Sequence, residues 1–383
     1  MEGFTIATSF AGAFALGTIF AVLGAVKLNL ARILDVDDAQ YGRLISALMF
    51  TSMIAVLVIA PLQAALGFFP IAVVAFVASG ACLWLLAAVK SYKVALVAAA
   101  LLGIAGMCAS VTGSVLGIEV LFDGENDPAA QNVINVFFGL GAFLTPYIVG
   151  KLMNNLGYQK TVSIIGAIVF VPIILVFFST FPETAPFDIG EFLGLLATPY
   201  ALFGGLALFC YVGLEASMGG FVSTYLKDHE LTDEQANKWL GGFWVALILG
   251  RILAFLVLGL VLEIEGAAQG PVAPVLGILA VVTISLMVIA KTAKAGIIGT
   301  LLTGLIFGPI FPMVVGVTQA KSGEGIIFSW IFAIGLLGAT ILPALIGKLS
   351  AASTIRQSMK AAVVVALALV VFSTILSFVP AAG

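Results

Sequence analysis

Long apolar runs separated by short charged or turn-rich segments make up nearly the whole chain. A run of ~20 such residues, rising 1.5 Å per residue, crosses the ~30 Å hydrocarbon core of a bilayer. Barrel strands would instead show alternating segments of ~10 residues, so the pattern predicts transmembrane helices. Cuts at the polar segments place six spans at 5–30, 42–64, 70–89, 94–121, 130–153 and 161–180. Six more fall at 197–226, 239–262, 271–290, 295–319, 326–349 and 360–380. A connector around 181–195, beginning Phe181-Pro182-Glu183-Thr184-Ala185-Pro186, divides the two sets. The expected organisation is an N-terminal six-helix bundle (1–180), a connecting loop (181–195) and a C-terminal six-helix bundle (196–383). Short loops make consecutive spans antiparallel neighbours.

Composition removes the alternatives. Of 383 residues, 62% are hydrophobic and 9% charged, against roughly 25% charged in a soluble domain. No water-soluble fold of this length hides that much apolar surface, and a bilayer forces the backbone into helices or closed barrels. The fold class expected is therefore all-α integral membrane. Cys82, Cys108 and Cys210 lie in apolar runs without a common spacing and read as small buried hydrophobes, not a disulfide or metal set. His229, the single histidine, stands in a charged loop, so no metal cluster and no cofactor site is expected. The start Met1-Glu2-Gly3-Phe4 lacks the basic region of a signal peptide, so the first span is expected to be retained. No P-loop occurs, which argues against ATP-driven pumping. An intramembrane enzyme would need a nucleophile–base constellation or metal ligands, and the spans contain no histidine. Nucleic acid is not an expected partner; membrane lipids and a small-molecule substrate are, with the chain acting as a monomer.

The two halves repeat one another. Under a shift of 197, the twelve residues from Gly141 to Leu152 fall on Gly338 to Leu349 with six identities, including Pro146 on Pro343, Gly141 on Gly338 and Gly150 on Gly347. Under a shift of 195, Gly24 meets Gly219, Asp38 meets Asp233 and Gln40 meets Gln235. Chance matches between apolar sequences would be scattered Leu and Ala, not aligned Gly, Pro and charge. Two related six-helix halves are what alternating-access transporters use, with substrate near the midplane. A central cavity lined by spans 1, 4, 5, 7, 8, 10 and 11 is expected on that architecture.

The run Gly139-Leu140-Gly141-Ala142-Phe143-Leu144-Thr145-Pro146, closing with Gly150, Gly157 and Tyr158, resembles the fifth-helix motif of the major facilitator superfamily. Three segments resemble its fucose–galactose–hexose permease branch: Asn132 to Ala142, Tyr211-Val212-Gly213-Leu214-Glu215, and Gly250-Arg251. The resemblance implies two pseudo-symmetric six-helix bundles and a secondary active transporter of a small polar solute, plausibly a monosaccharide, with a proton as candidate co-substrate. The chain departs from the branch at two carboxylates. The first-span position falls near Gly24 and the fourth-span position near Val111, Thr112 or Gly113, and neither carries an acid. An organic anion or an amphipathic, lipid-like molecule is the alternative substrate.

Ionisable side chains deep in a bilayer are costly and suggest function by default. Glu215 in the seventh span and Arg251 in the eighth are the two deepest, either as a structural ion pair or as a coupling carboxylate with its partner. Lys27 and Glu119 fall at the edges of their spans, where a lysine can snorkel to the headgroups. Gln131, Asn132 and Asn135 cluster in the fifth span; Asn132 and Asn135 can share a helix face, as sugar-binding amides or as interhelical glue. Trp244 and Trp330 are candidate ring platforms for a sugar, or interface and packing residues.

Charge along the loops is lopsided. On the side of the termini the only basic residue is Lys321; the opposite loops carry thirteen, from Arg32 and Arg43 to Arg356 and Lys360. Excess Lys and Arg marks the cytoplasmic side, which would put both termini outside. The family resemblance puts both termini in the cytoplasm of an inner-membrane protein. The family sense is adopted as the expectation, with Asn126 inside and Ser91 outside.

Overall fold

The computed structural model describes residues 2–124, 127–184, 188–261, 266–323, 327–351 and 353–382. Residues 185–187 of the expected connector, residue 262 of the eighth span, residue 326 of the eleventh, Asn126 and the loop acids Glu125, Glu263, Glu265 and Glu324 lie outside the described residues.

The first half builds α1 (Glu2–Ala25), α2 (Lys27–Leu34), α3 (Asp38–Leu66), α4 (Phe68–Ala87), α5 (Tyr92–Val120), α6 (Asp127–Phe170) and α7 (Ile173–Val176). The second builds α8 (Ile189–Leu195), α9 (Pro199–Lys227), α10 (Asp233–Ala254), α11 (Val272–Ile289), α12 (Ala293–Phe307), α13 (Ile310–Ser322), α14 (Ile327–Ala351) and α15 (Ile355–Phe378). No strand occurs among the described residues. The chain forms two compact units, Met1–Gly124 with Ile134–Asp188, and Glu125–Val133 with Ile189–Gly383.

Eleven helical stretches among the described residues are long and apolar enough to cross a membrane. One of them, Ala129–Val176, has 48 residues, about 72 Å of helix and more than twice a bilayer core. It is two crossings. Gly157 stands at φ 73°, ψ 175° inside it, a conformation open to glycine and strained for other residues. Beyond Gly157 the chain runs back along α4: the Tyr158 hydroxyl donates to the Leu86 carbonyl at 2.8 Å, and Trp84 Nε1 to that of Ser163 at 3.0 Å. Phe170 lies against Gly80. The residue order along the two helices is opposite, as for antiparallel neighbours, and the total among the described residues is twelve spans.

The structure corrects three sequence expectations. The first span ends at Ala25, and Val26 (φ −97°, ψ 4°) breaks the helix before α2, so Lys27 opens a short separate helix. The tenth span runs from Ala293 to Ser322 but its helix is interrupted, Gly308 and Pro309 separating α12 from α13. Lys321 is no loop residue but a buried one on α13, its Nζ donating to the carbonyls of Ser377, at 3.1 Å, and Val379 beyond the turns of α15.

The repeat is visible as a shared frame. In the first unit Gly141 packs so closely on α1 that a Cβ would sit 2.2 Å from the Phe14 carbonyl oxygen. In the second, a Cβ on Gly338 would sit 1.9 Å from the Phe209 carbonyl oxygen of α9. Helix starts repeat too. Asp37 and Gln40 form a capping box at α3, and Thr232 and Gln235 form one at α10. Each satisfies backbone N–H groups that a helix end leaves bare.

Candidate functional site

The seventh span is α9. Thr198 caps it by accepting from the Ala201 N–H, and Pro199 follows in the first turn, where its missing donor costs nothing. Glu215 sits near its middle. The eighth span, α10, starts at the Thr232 capping box and delivers Arg251 close to its C-terminal end. Arg251 Nη2 lies 3.6 Å from Glu215 Oε1. The two members are unequal: the Arg251 side chain is 1% exposed and that of Glu215 is 13%. The cation is sealed, and the Glu215 Oε1 that faces it is itself buried.

Two proline positions explain where the rest of the guanidinium goes. A helical carbonyl is normally met by the N–H four residues on, and proline has none. Pro309 therefore withholds a donor from Leu305, and Pro312 withholds one from Gly308. Both freed carbonyls face the Gly250–Arg251 pair of α10. A Cβ on Gly250 would lie 2.0 Å from the Leu305 oxygen, so only glycine lets the helices meet there. Arg251 Nε donates to the Gly308 oxygen at 3.1 Å. Beyond Arg251, α10 passes into a π-helical segment, Phe255–Val261, a local winding often found at functional sites.

Aromatic rings close around this pair. Tyr211, one turn before Glu215 on α9, is fully buried and interacts electrostatically with Glu215 and Arg251. Its ring lies 5.7 Å from Phe307 and 6.2 Å from Phe311, and Phe311 meets Phe332 of α14 at 5.3 Å. Trp244, two turns before Arg251, rests on Gly219, where a Cβ would fall 2.8 Å from the indole. Glu215–Arg251 and Gly219–Trp244 are thus successive rungs between α9 and α10.

The other sequence candidates each have their own neighbours. Trp330 stacks on Phe192 of α8 at 4.6 Å and donates Nε1 to the Phe192 carbonyl at 2.8 Å. Gln131 is fully buried and donates to Gln319 Oε1 of α13 at 3.2 Å. Asn132 is fully buried beside it, while Asn135 is half-buried on the part of α6 assigned to the first unit. Lys27 is half-buried at the start of α2, and Glu119 is exposed near the end of α5. Thr112, one of the three positions near which the resemblance leads one to expect a fourth-span acid, accepts from Gln63 Nε2 of α3 at 3.0 Å. Sequence reasoning passed over Tyr211, Gly308 and Pro312. The four-residue spacings Tyr211–Glu215 and Gly308–Pro312 were the available signals. Among the described residues no group of His, Cys, Asp and Glu could hold a metal ion, and the three cysteines are free.

A family model described as Major Facilitator Superfamily matches residues 8–343. No curated protein matches the sequence. Among solved structures, the chain is similar to the E. coli fucose:proton symporter FucP, with a TM-score of 0.77 and 17% identity over 96% of this chain and 98% of that one. A structure of FucP in the outward conformation gives a TM-score of 0.75 and 19% identity over 97% and 99%. The human organic anion transporter MFSD10 (TETRAN) gives 0.75 and 14% over 97% and 99%.

Proposed function

Because this chain belongs to the Major Facilitator Superfamily and is a multi-pass membrane transporter, we propose that it moves a small polar solute by alternating access, with Glu215 as its coupling carboxylate. The observation that carries the reading is the ion pair itself: Glu215 is the less enclosed member, 13% exposed against 1% for Arg251, and Arg251 faces it at 3.6 Å. A carboxyl group at that depth can take up or release a proton while its partner remains charged, which ties a proton to one stage of the cycle. A monosaccharide is the substrate class that the likeness to a fucose:proton symporter supports, with the ring of Trp244 as a candidate apolar platform. Gln131, Asn132 and Asn135 are its candidate amide partners, Trp330 a further candidate ring platform and Lys27 a candidate cation.

The test is uptake into proteoliposomes under an imposed pH gradient, after a thermal-shift screen of sugars, organic acids and lipids has named a ligand. Stabilisation by a sugar, and loss of gradient-driven uptake in Glu215→Gln with the fold intact, support the reading. Unchanged uptake and unchanged pH dependence in that variant make the carboxylate structural. A second reading, transport of an organic anion, is favoured by the missing first- and fourth-span acids and by the likeness to an organic anion transporter; stabilisation by organic acids alone would replace the sugar reading with it.

We place both termini in the cytoplasm, the sense in which the family motifs run, and the chain in the cell's inner membrane as a monomer. The thirteen-to-one basic bias toward the opposite side is the observation that opposes this assignment. Thiol labelling of Ser91→Cys and Glu183→Cys in intact cells decides the matter. Reaction at 91 alone keeps the assignment, and reaction at 183 alone reverses it.

A further inference from the structure

We propose that Arg251 is a positioning residue that caps the break in the tenth span, supplying to Gly308 the donor that Pro312 withholds and so tying the bend of that span to Glu215. The coupling half of this inference rests on the reading of Glu215 given above; the capping half stands on backbone geometry alone.

Three observations meet at one side chain. Gly308 (φ −44°, ψ −58°) and Pro309 (φ −79°, ψ −12°) both keep helical dihedrals, so an ordinary residue at 312 would aim its N–H at the Gly308 oxygen. Pro312 has no N–H, and a carbonyl left bare in a membrane interior is expensive. Arg251 Nε fills the gap at 3.1 Å while another arm of the same planar guanidinium, Nη2, faces Glu215 at 3.6 Å. A guanidinium is a rigid fork. Its arms cannot move independently, so a shift of the fork toward or away from the carboxylate changes its hold on the Gly308 carbonyl. The cap is also sealed, at 1% exposure, which suits a group that acts through its neighbours and does not itself meet a solute. The aromatic ring of Phe311, one residue before Pro312, lies against Tyr211 at 6.2 Å. Any change in the bend is thereby passed to the rings around Glu215.

The experiment is hydrogen–deuterium exchange of the full chain in lipid nanodiscs, read over peptides covering 305–316. Arg251→Gln should raise exchange of the amides just after the break by about tenfold or more, the worth of one lost charge-assisted hydrogen bond. Pro312→Ala restores the missing N–H, so Arg251→Gln with Pro312→Ala should return most of the way to the wild-type rate. If Arg251 served only to neutralise Glu215, Glu215→Gln would rescue Arg251→Gln and Pro312→Ala would not; that result overturns the proposal. So does unchanged exchange in Arg251→Gln. Should Arg251→Gln fail to fold, Arg251→Lys takes its place. A lysine keeps the charge but not the fork, so exchange should still rise and Pro312→Ala should still suppress it. Gradient-driven uptake by Glu215→Gln is read separately. Normal uptake there removes the coupling role and leaves the cap, whereas failure of the Pro312→Ala rescue removes the cap and leaves the coupling role.

Discussion

The two units share a frame and differ in what is buried inside it. Gly141 on Phe14 in one and Gly338 on Phe209 in the other make the same close approach, and the capping boxes at α3 and α10 open corresponding spans. Yet 195 residues before Glu215 and Arg251 stand Phe20 and Val56. Val56 is fully buried, and Phe20 packs edge-on against Phe138 at 6.2 Å. Where the second unit holds an ion pair, the first holds hydrocarbon, and its deep polar contact, Gln63 with Thr112, is neutral. A shared frame with unshared charge teaches that duplication copied the helix approach, while the chemistry was kept or placed in one half. A charge in the bilayer interior is too costly to persist in both by inertia.

That comparison can be broken most severely at the frame. Gly141→Ala and Gly338→Ala each drive a Cβ into a backbone oxygen, at 2.2 and 1.9 Å, which no side-chain rotation relieves. Each should destabilise its unit by about 3 kcal/mol or more, read as thermal unfolding in detergent. Tolerance of one and not the other would show that the frames are not equivalent.

Next in size is the contrast in chemistry. Glu215→Gln should lower gradient-driven uptake at least tenfold, or about 1.4 kcal/mol of coupling, with little change in melting. Thr112→Val should do the reverse, costing about 1–3 kcal/mol of stability by stranding Gln63 while uptake persists. Equal loss of uptake in both variants would erase the asymmetry.

The helix starts should respond alike and modestly. Asp37→Ala and Thr232→Ala each remove a cap worth about 1 kcal/mol, and thermal unfolding should show shifts of similar size.

Smallest is a pH effect confined to the second unit. Burial first, and then Arg356, hold the His229 imidazole below its ordinary value of 6.5. The unfolded chain then binds its proton more readily, so stability is whole above pH 6.5 and declines as pH falls through and below it. His229→Gln should flatten that decline slightly in melting curves taken between pH 5 and 7.5. An unchanged slope would mean that other groups set it.

Much of the frame was legible because bilayer thickness dictates span length, and because Gly and Pro repeat in register where apolar residues cannot. The ion pair was legible for the same reason that it is costly: Glu215 and Arg251 interrupt long apolar runs. The facing of each helix was not. Lipid is as apolar as a protein core, so periodicity does not separate buried from lipid-facing residues as it does in water. Trp330 could be read as a ring platform, whereas its Nε1 is committed to the Phe192 carbonyl. Lys321 read as a loop cation because it stands near a polar segment, and only α15 reveals its burial. The break at Gly308–Pro309 was signalled by a Gly–Pro pair, but its cap comes from a residue 57 positions away.

Lys321 has a consequence for how the protein is made. Its acceptors, on Ser377 and Val379, lie 56 and 58 residues downstream. During synthesis α13 therefore emerges ahead of the carbonyls that will hold its ammonium. Until α15 is inserted, the cation must stay hydrated at the bilayer edge, and the tenth span cannot settle to its final depth. A chain cut short before residue 377 would leave that lysine without the carbonyls it holds in the finished fold. Completion of the second unit thus brings one early cation to its late acceptors.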